Sequence, residues 1–426
     1  MTYQAVLQYL HTLPRYPATA GLQRIEQLLA ASGCNYQALR FVHVTGTNGK
    51  GSTCAMLARV LQQAGYRTGL FTSPHLLHYN ERIKINGIDI SEADFLAYFE
   101  HFQPLVQAVQ PCIFEVLWAM ALQYYVDQQV DTVVVEVGIG GRYDPTNIIT
   151  SAVSVITNVD LDHTEILGKT KAAIAQEKAG IIKSNSICIT TERDPAMIEV
   201  FETSAAKQHA QLIVVQPSDT IAGPVTMTGQ EFSYQHYSAI KLSLLGEHQL
   251  TNAAGVIAAI AALRQRGWDI SDAALYDGLA TVRWPLRFEV LQANPLLIAD
   301  VGHNPAGLQA VSRLVSTVLP HYKKIIIFGC SYDKPYQAMA DIICPLADEL
   351  IITQAQYKAV PVDQLFQYVT HLPSSARQTI SQPAGVAQAI VQAEQLANTT
   401  TVILILGGLY LAAEAKQYLT QRQGIC

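Results

Sequence analysis

The run Thr45-Gly46-Thr47-Asn48-Gly49-Lys50-Gly51-Ser52-Thr53 stands between an apolar stretch at 41–44 and an Ala- and Leu-rich stretch that ends near residue 64. A strand that enters a helix through such a turn belongs to few architectures, and the turn itself has a physical use. Its glycines let several N–H groups converge on phosphate oxygens, the helix N-terminus adds positive partial charge, and a lysine at its mouth reaches the outer phosphates. The spacing departs from G-x-x-x-x-G-K-[ST], because Gly46 and Gly49 are three apart and Gly51 separates Lys50 from Ser52. A plain strand-to-helix turn is the duller reading. Strand, lysine and helix together favour a nucleoside triphosphate.

The surrounding pattern is α/β. Short β-branched runs at 41–44, 68–71, 132–137, 152–157 and 186–189 alternate with amphipathic stretches, which predicts a mostly parallel sheet with helices on both faces. Long helices at 248–266, closed by Gly267, and at 271–279 lead to Arg283-Trp284-Pro285, where proline ends the helical pattern. A hinge placed there divides the chain into domains 1–284 and 285–426. The second is a smaller, Rossmann-like α/β domain with strands at 296–299, 324–328, 349–353 and 402–406.

Composition narrows the function. With 28 Lys and Arg against 34 Asp and Glu, the net charge is −6, so nothing suits a nucleic-acid backbone. A bilayer span needs about 20 apolar residues; the best run, 402–413, is broken by Gly407 and Gly408. No membrane partner is expected. The first 14 residues lack the basic flank of a secretion signal, so a cytoplasmic location is expected. The seven cysteines are scattered without a C-x-x-C pair and predict neither a disulfide framework nor a zinc site.

Three further segments close strands of the first domain, where ligands of an open α/β sheet collect. They are Thr72-Ser73-Pro74-His75, Glu136-Val137-Gly138-Ile139-Gly140-Gly141-Arg142 and Asp160-Leu161-Asp162-His163-Thr164. A hydroxyl, a carboxylate and an imidazole converging beside a triphosphate could hold Mg²⁺, although that ion prefers oxygen. Singly, Ser73 also suits a turn, Glu136 an ion pair and His163 a hydrogen-bonded loop. Lys178, in Glu177-Lys178-Ala179-Gly180, suits a dipole complement at a helix C-terminus.

Together these segments resemble the folylpolyglutamate synthase and dihydrofolate synthase family, within the Mur-type amide ligases, over nearly the whole chain. The resemblance is carried by His43-Val44-Thr45-Gly46-Thr47-Asn48-Gly49-Lys50-Gly51-Ser52, Thr72-Ser73-Pro74-His75-Leu76, Asn80-Glu81-Arg82-Ile83, Glu136-Val137-Gly138-Ile139-Gly140-Gly141, Leu161-Asp162-His163-Thr164, Glu177-Lys178-Ala179-Gly180-Ile181-Ile182-Lys183 and His303-Asn304-Pro305. It implies a Mur-ligase-like central domain and a C-terminal glutamate ligase domain. Lys50, Glu136, His163 and Lys178 are the implied catalytic groups. Ser73, Glu136 and His163 are the implied Mg²⁺ ligands, and Lys178, carbamylated by CO₂, would help hold a second metal ion. ATP would be bound by Gly46, Thr47, Asn48, Gly49, Lys50, Gly51 and Ser52, with Asn252, Arg287, Asp300 and His303. The pterin would meet Tyr79, Arg82, Cys112, Ile113, Phe114, Glu115, Tyr143, Asp144 and Pro145, near a loop at 74–89. Cys112 and Pro145 stand where the family leads one to expect a polar and a smaller residue.

The implied reaction is ATP-dependent addition of L-glutamate to a reduced folate through an acyl phosphate, by a monomer, and in some members also to 7,8-dihydropteroate. Two rivals are weighed. Thr157-Asn158-Val159-Asp160 is faintly similar to the guanine-reading [NT]-K-x-D of nucleotide switches but lacks its lysine. A cell-wall Mur ligase shares the loop and the lysine, yet only about 40 residues precede the loop here, fewer than an additional N-terminal domain needs.

Overall fold

Val133, Val134 and Val135 are all fully buried, as befits a strand covered on both faces. They lie near the middle of an eight-stranded sheet in a computed structural model that describes residues 1–16, 21–373, 379–422 and 424. Cys426 lies outside the described residues. The strands are β1 (Arg40–Thr45), β2 (Thr68–Phe71), β3 (Ile83–Ile85), β4 (Ile88–Asp89), β5 (Thr132–Glu136), β6 (Ser151–Ile156), β7 (Ile187–Thr190) and β8 (Gln211–Val214), in the order β4-β3-β2-β5-β1-β6-β7-β8. From β2 to β8 all pairs are parallel, whereas β3 and β4 add on antiparallel. One core gathers Phe71, Phe95, Phe99, Phe102 and Trp118 from β2 and the helices Glu92–Val109 and Ile113–Asp127. Another joins Ile156, Ile174, Cys188 and Phe201. Both are built from buried apolar side chains, which is where the sheet's stability is made.

The stretch 74–89, expected as a loop, is largely ordered into a helical turn, Tyr79–Arg82, followed by β3 and β4. Glu81 explains the turn: its carboxylate accepts from the N–H groups of Leu76, Leu77 and His78 at 2.7, 2.7 and 2.8 Å. Ile83 and Ile85 then alternate into the core, which is enough to hold a three-residue strand.

A three-stranded sheet, β9 (Thr220–Thr226), β10 (Gly229–Tyr234) and β11 (Tyr237–Leu242), is ordered β11-β10-β9. The last sheet holds β12 (Glu289–Ala293), β13 (Leu296–Ala299), β14 (Lys323–Phe328), β15 (Glu349–Ile352), β16 (Thr379–Ser381) and β17 (Thr401–Leu406), ordered β12-β13-β17-β14-β15-β16. Only β12 runs antiparallel to its neighbour. The chain forms two compact units, and no single cut divides them. The first comprises Met1–Gly223, Glu231–Ser243 and Gln249–Val282; the second takes Pro224–Gln230 and Leu244–His248 as well as everything from Arg283. Among the described residues no helix is long and apolar enough to cross a membrane.

Candidate active site

The phosphate loop joins β1 to the helix Lys50–Gln63. Gly49 has φ +86°, a left-handed conformation open to glycine at no steric cost. At Gly46 a side chain has no room, since a Cβ would lie 1.7 Å from Thr157 Oγ1. The loop is tied to the turn after β6: Thr47 N–H donates to the Asn158 carbonyl and Asn48 N–H to Asn158 Oδ1, both at 2.9 Å. Thr47 Oγ1 donates to the Asp160 carbonyl at 3.2 Å and accepts from its N–H at 2.9 Å. The N–H groups of Thr47 and Asn48 are therefore spent on the scaffold. Donors at the start of the helix, which have no intrahelical acceptor, are the ones suited to an anion. Lys50 Nζ donates to the carbonyls of Gly46 and Thr47 at 2.9 and 3.2 Å.

Asn252 and Ser52 meet at this loop. Gln249, unremarked in the sequence, donates to Ser52 Oγ at 3.1 Å and accepts from Asn252 Nδ2 at 3.0 Å. A Cβ on Gly49 would come within 2.5 Å of Asn252 Oδ1.

Thr45, Gly46, Thr47, Lys50, Gly138, Gly140, Asp162, His163 and Lys178 line one small cleft. Lys178 is 3% exposed, and burial, then Lys50, push its pKa down to about 7, against a smaller opposing pull from Asp162. With a pKa near 7 the amine is neutral in about half of the molecules at pH 7, as an exposed lysine at a helix end is not. Its helix is clamped to the glycine turn: Arg142 N–H donates to the Glu177 carbonyl at 2.8 Å, and Asn147 Nδ2 donates to the carbonyls of Arg142 and Gly180, each at 3.0 Å. Ser73 and Glu136 also come together, the serine N–H donating to Glu136 Oε2 at 2.9 Å. His163 has φ +48° and its ring nitrogens lie 3.9 and 4.0 Å from Asp162 and Glu165. Among the described residues no three His, Cys, Asp or Glu side chains group as a metal site.

The expected pterin residues divide by role. The Tyr79 ring lies 4.2 Å from that of His75 at a tilt of 51°, with the Arg82 guanidinium 5.3 Å from the Tyr79 centroid. Arg82 Nε donates to His75 Nδ1 at 2.9 Å, which requires a neutral imidazole; burial first, then Arg82, hold its pKa down to about 3. Phe114 packs on Phe71 and closes over Gly138, where a Cβ would lie 2.8 Å from its ring. Tyr143 is exposed. Others face inward. Glu115 is fully buried, accepts from Cys112 N–H at 2.7 Å and pairs with Arg24 at 3.2 Å. Ile113 N–H donates to the Pro14 carbonyl at 3.0 Å. Asp144 accepts from the N–H groups of Ile139 at 2.9 Å and Thr146 at 3.0 Å, and Pro145 opens the turn Pro145–Ile148. Proline suits that first position because it needs no donor there.

In the second unit Asp300 is buried and its two oxygens accept from Phe288 N–H at 2.9 Å and Gly302 N–H at 2.7 Å. Arg287 sits between Leu286 and Phe288, whose φ values are +56° and +50°. Two bulky residues in left-handed conformations mark a tightly determined turn. His303 Nδ1 lies 3.2 Å from the Val301 carbonyl.

The pattern of the Mur ligase middle domain matches residues 44–260, and that of the Mur ligase glutamate ligase domain matches 286–409. The dihydrofolate synthase/folylpolyglutamate synthase of Bacillus subtilis is 32% identical over 98% of this chain and 99% of its own length. The structure of E. coli FolC in complex with DHPP and ADP superposes with a TM-score of 0.88 at 28% identity, over 99% of each chain. A bifunctional Yersinia pestis folylpolyglutamate synthase/dihydrofolate synthase, crystallised with AMPPNP and a Mn ion, gives 0.85 at 29% identity over 98% of each chain. With both Mur ligase domains in order along one chain and a relative this similar from end to end, the protein belongs to the folylpolyglutamate synthase and dihydrofolate synthase family of Mur ligases.

Proposed function

We propose that this chain adds L-glutamate to the γ-carboxylate of a reduced folate with ATP. The observation that carries the reading is the cleft in which the phosphate-loop Lys50 and the buried Lys178 line the same wall as His163. A carboxylate is a poor acyl donor, so the γ-phosphate goes first to the substrate carboxylate, and the amine of glutamate displaces phosphate from the acyl phosphate. Lys50 binds and neutralises the transferring phosphoryl oxygens, and the first helical turn orients them. Ser73 and Glu136, already joined, supply the oxygen donors that a divalent cation prefers, with His163 beside the cleft. Such an ion supplies charge neutralisation at the phosphates.

Lys178 is the residue we assign to carbamylation by CO₂, which needs a neutral amine and gives an anion able to hold a second cation. Intact mass after mild cross-linking and a ¹³CO₂-derived carbamate resonance, both lost in Lys178→Met, are expected; no carbamate signal in the wild-type protein rejects the assignment. Asn252, joined through Gln249 to Ser52 of the loop, completes our reading of the ATP site in the first unit. Because Cys112, Glu115 and Asp144 are turned inward, the pterin is assigned to Tyr79, Arg82, Phe114 and Tyr143. The departures at Cys112 and Pro145 then touch the scaffold rather than the ring, which favours dihydropteroate as a second acceptor. A monomer in the cytoplasm is our reading, and it suits Cys34, Cys54, Cys112, Cys188 and Cys330, which are free and buried.

The test is product formation from ATP and glutamate with tetrahydrofolate and 7,8-dihydropteroate offered separately, products identified by mass. Glutamate added to tetrahydrofolate is expected, and Lys50→Ala should lower turnover at least a hundredfold without unfolding. ATP hydrolysis without either product would reject the substrates and leave the family standing.

A further inference from the structure

The buried carboxylate of Glu192 has no part in the chemistry above. It follows β7 and is 8% exposed. Its Oε1 accepts from the N–H groups of Arg193 and Asp194 at 2.7 and 2.9 Å, and its Oε2 accepts from Val159 N–H at 2.5 Å. A buried anion is tolerated when donors converge on it, and such charge-assisted bonds are strong. The corner is braced twice more: Glu192 N–H donates to Thr190 Oγ1 at 3.1 Å, and Thr191 Oγ1 donates to the Thr157 carbonyl at 2.5 Å.

Val159 lies between Asn158 and Asp160, the two residues that take the N–H groups and hydroxyl of Thr47 and Asn48. One step further, Thr157 Oγ1 donates to the Asn48 carbonyl at 2.6 Å. The same turn continues into Asp162 and His163 of the cleft. These bonds of Thr47 and Asn48 therefore end on a turn whose central N–H is held by Glu192.

We propose that Glu192 is a positioning residue for the nucleotide: by holding Val159 it sets Asn158 and Asp160, which set Thr47 and Asn48 and so aim the donors at residues 49–52. It touches no phosphate itself. Glu192→Gln tests this selectively. The amide oxygen can keep the two bonds to Arg193 and Asp194, but its NH₂ then faces the Val159 N–H, donor against donor. The proposal rests on the ligase reading only for its turnover measurements, since binding of a fluorescent ATP analogue to the protein is read directly.

In Glu192→Gln, analogue affinity is expected to fall at least fivefold and KM for ATP to rise alike, with KM for glutamate and kcat changed less than twofold. The comparison variant is Asp194→Ala, which loses the cap on the helix Pro195–Lys207, where Asp194 Oδ1 accepts from Ala196 N–H at 3.0 Å. It should lower Tm and leave ATP affinity as it is. An affinity loss smaller than fivefold in Glu192→Gln, or an equal loss in Asp194→Ala, overturns the assignment. If Glu192→Gln does not fold, hydrogen exchange decides it: the Val159 amide of the wild-type protein should be protected as strongly as the amides of β6, and exchange at the rate of an exposed loop refutes the clamp.

Discussion

His43 shows how one buried side chain makes the fold sensitive to acid. Thr146 Oγ1 donates to Asp144 Oδ1, so it can only accept from His43 Nε2, 2.9 Å away. Nδ1 is buried with no hydrogen-bond partner among the described residues. Protonation would place a second donor there with no acceptor, and burial, then Lys183, push the pKa from 6.5 down to about 3. Between those values the unfolded chain binds a proton that the folded one refuses, so stability falls as pH falls from 6.5 towards 3. The slope approaches about 1.4 kcal/mol per pH unit. In His43→Met, urea midpoints between pH 6 and 4 should decline less steeply than in the wild-type protein; parallel declines would show that His43 is not the group responsible. At this scale the sequence was informative about Gly46, Gly49 and Lys50, whose residue types have few other uses in such a run. It was silent about Glu192 and Gln249 and gave Asn158 only a faint likeness to a guanine-reading motif, because a polar residue looks the same in sequence whether it faces solvent or a group from another element.

Among the elements, the helix Asp272–Thr281 packs so tightly on the helix Lys50–Gln63 that Gly278 has no space for a methyl group. A Cβ would lie 2.6 Å from Val60 Cγ2 and 2.7 Å from Val60 Cα. Backbone cannot yield as a flexible side chain does, so Gly278→Ala should cost about 1–3 kcal/mol, against the helix propensity that alanine adds. Thermal melting checks this, and a Tm equal to or above that of the wild-type protein would mean the helices separate freely. Long central strands were legible because their faces are wholly apolar. Two-residue β4 and half-exposed β12 were not, since a short edge element carries too little periodicity to stand out. The sheet β9–β11 escaped for a related reason: β9 is mostly exposed and contains Gly223 and Pro224, which read as a turn.

On the scale of the whole molecule, the second unit draws on pieces far apart in the chain. Leu245 belongs to its core beside Phe288, Ile298 and Leu308, with Val225 and Met227 packed against it. Residues 283–426 expressed alone lack all three. That fragment is expected to lose near-ultraviolet circular dichroism and to bind hydrophobic dye, whereas a cooperative melt like that of a native domain would show that these segments are dispensable. A proline at 285 marked where a long helical pattern ends, and the sequence alone was sufficient for the α/β class and the family, because each rests on residue types at fixed local spacing. Which N–H groups of the loop the scaffold holds, which of the expected pterin residues face inward, and which segments complete the second core were decided by the tertiary structure. Those outcomes depend on what lies across a strand or helix from each residue, and only folding brings partners such as Asn48 and Asn158, or Leu245 and Phe288, into reach.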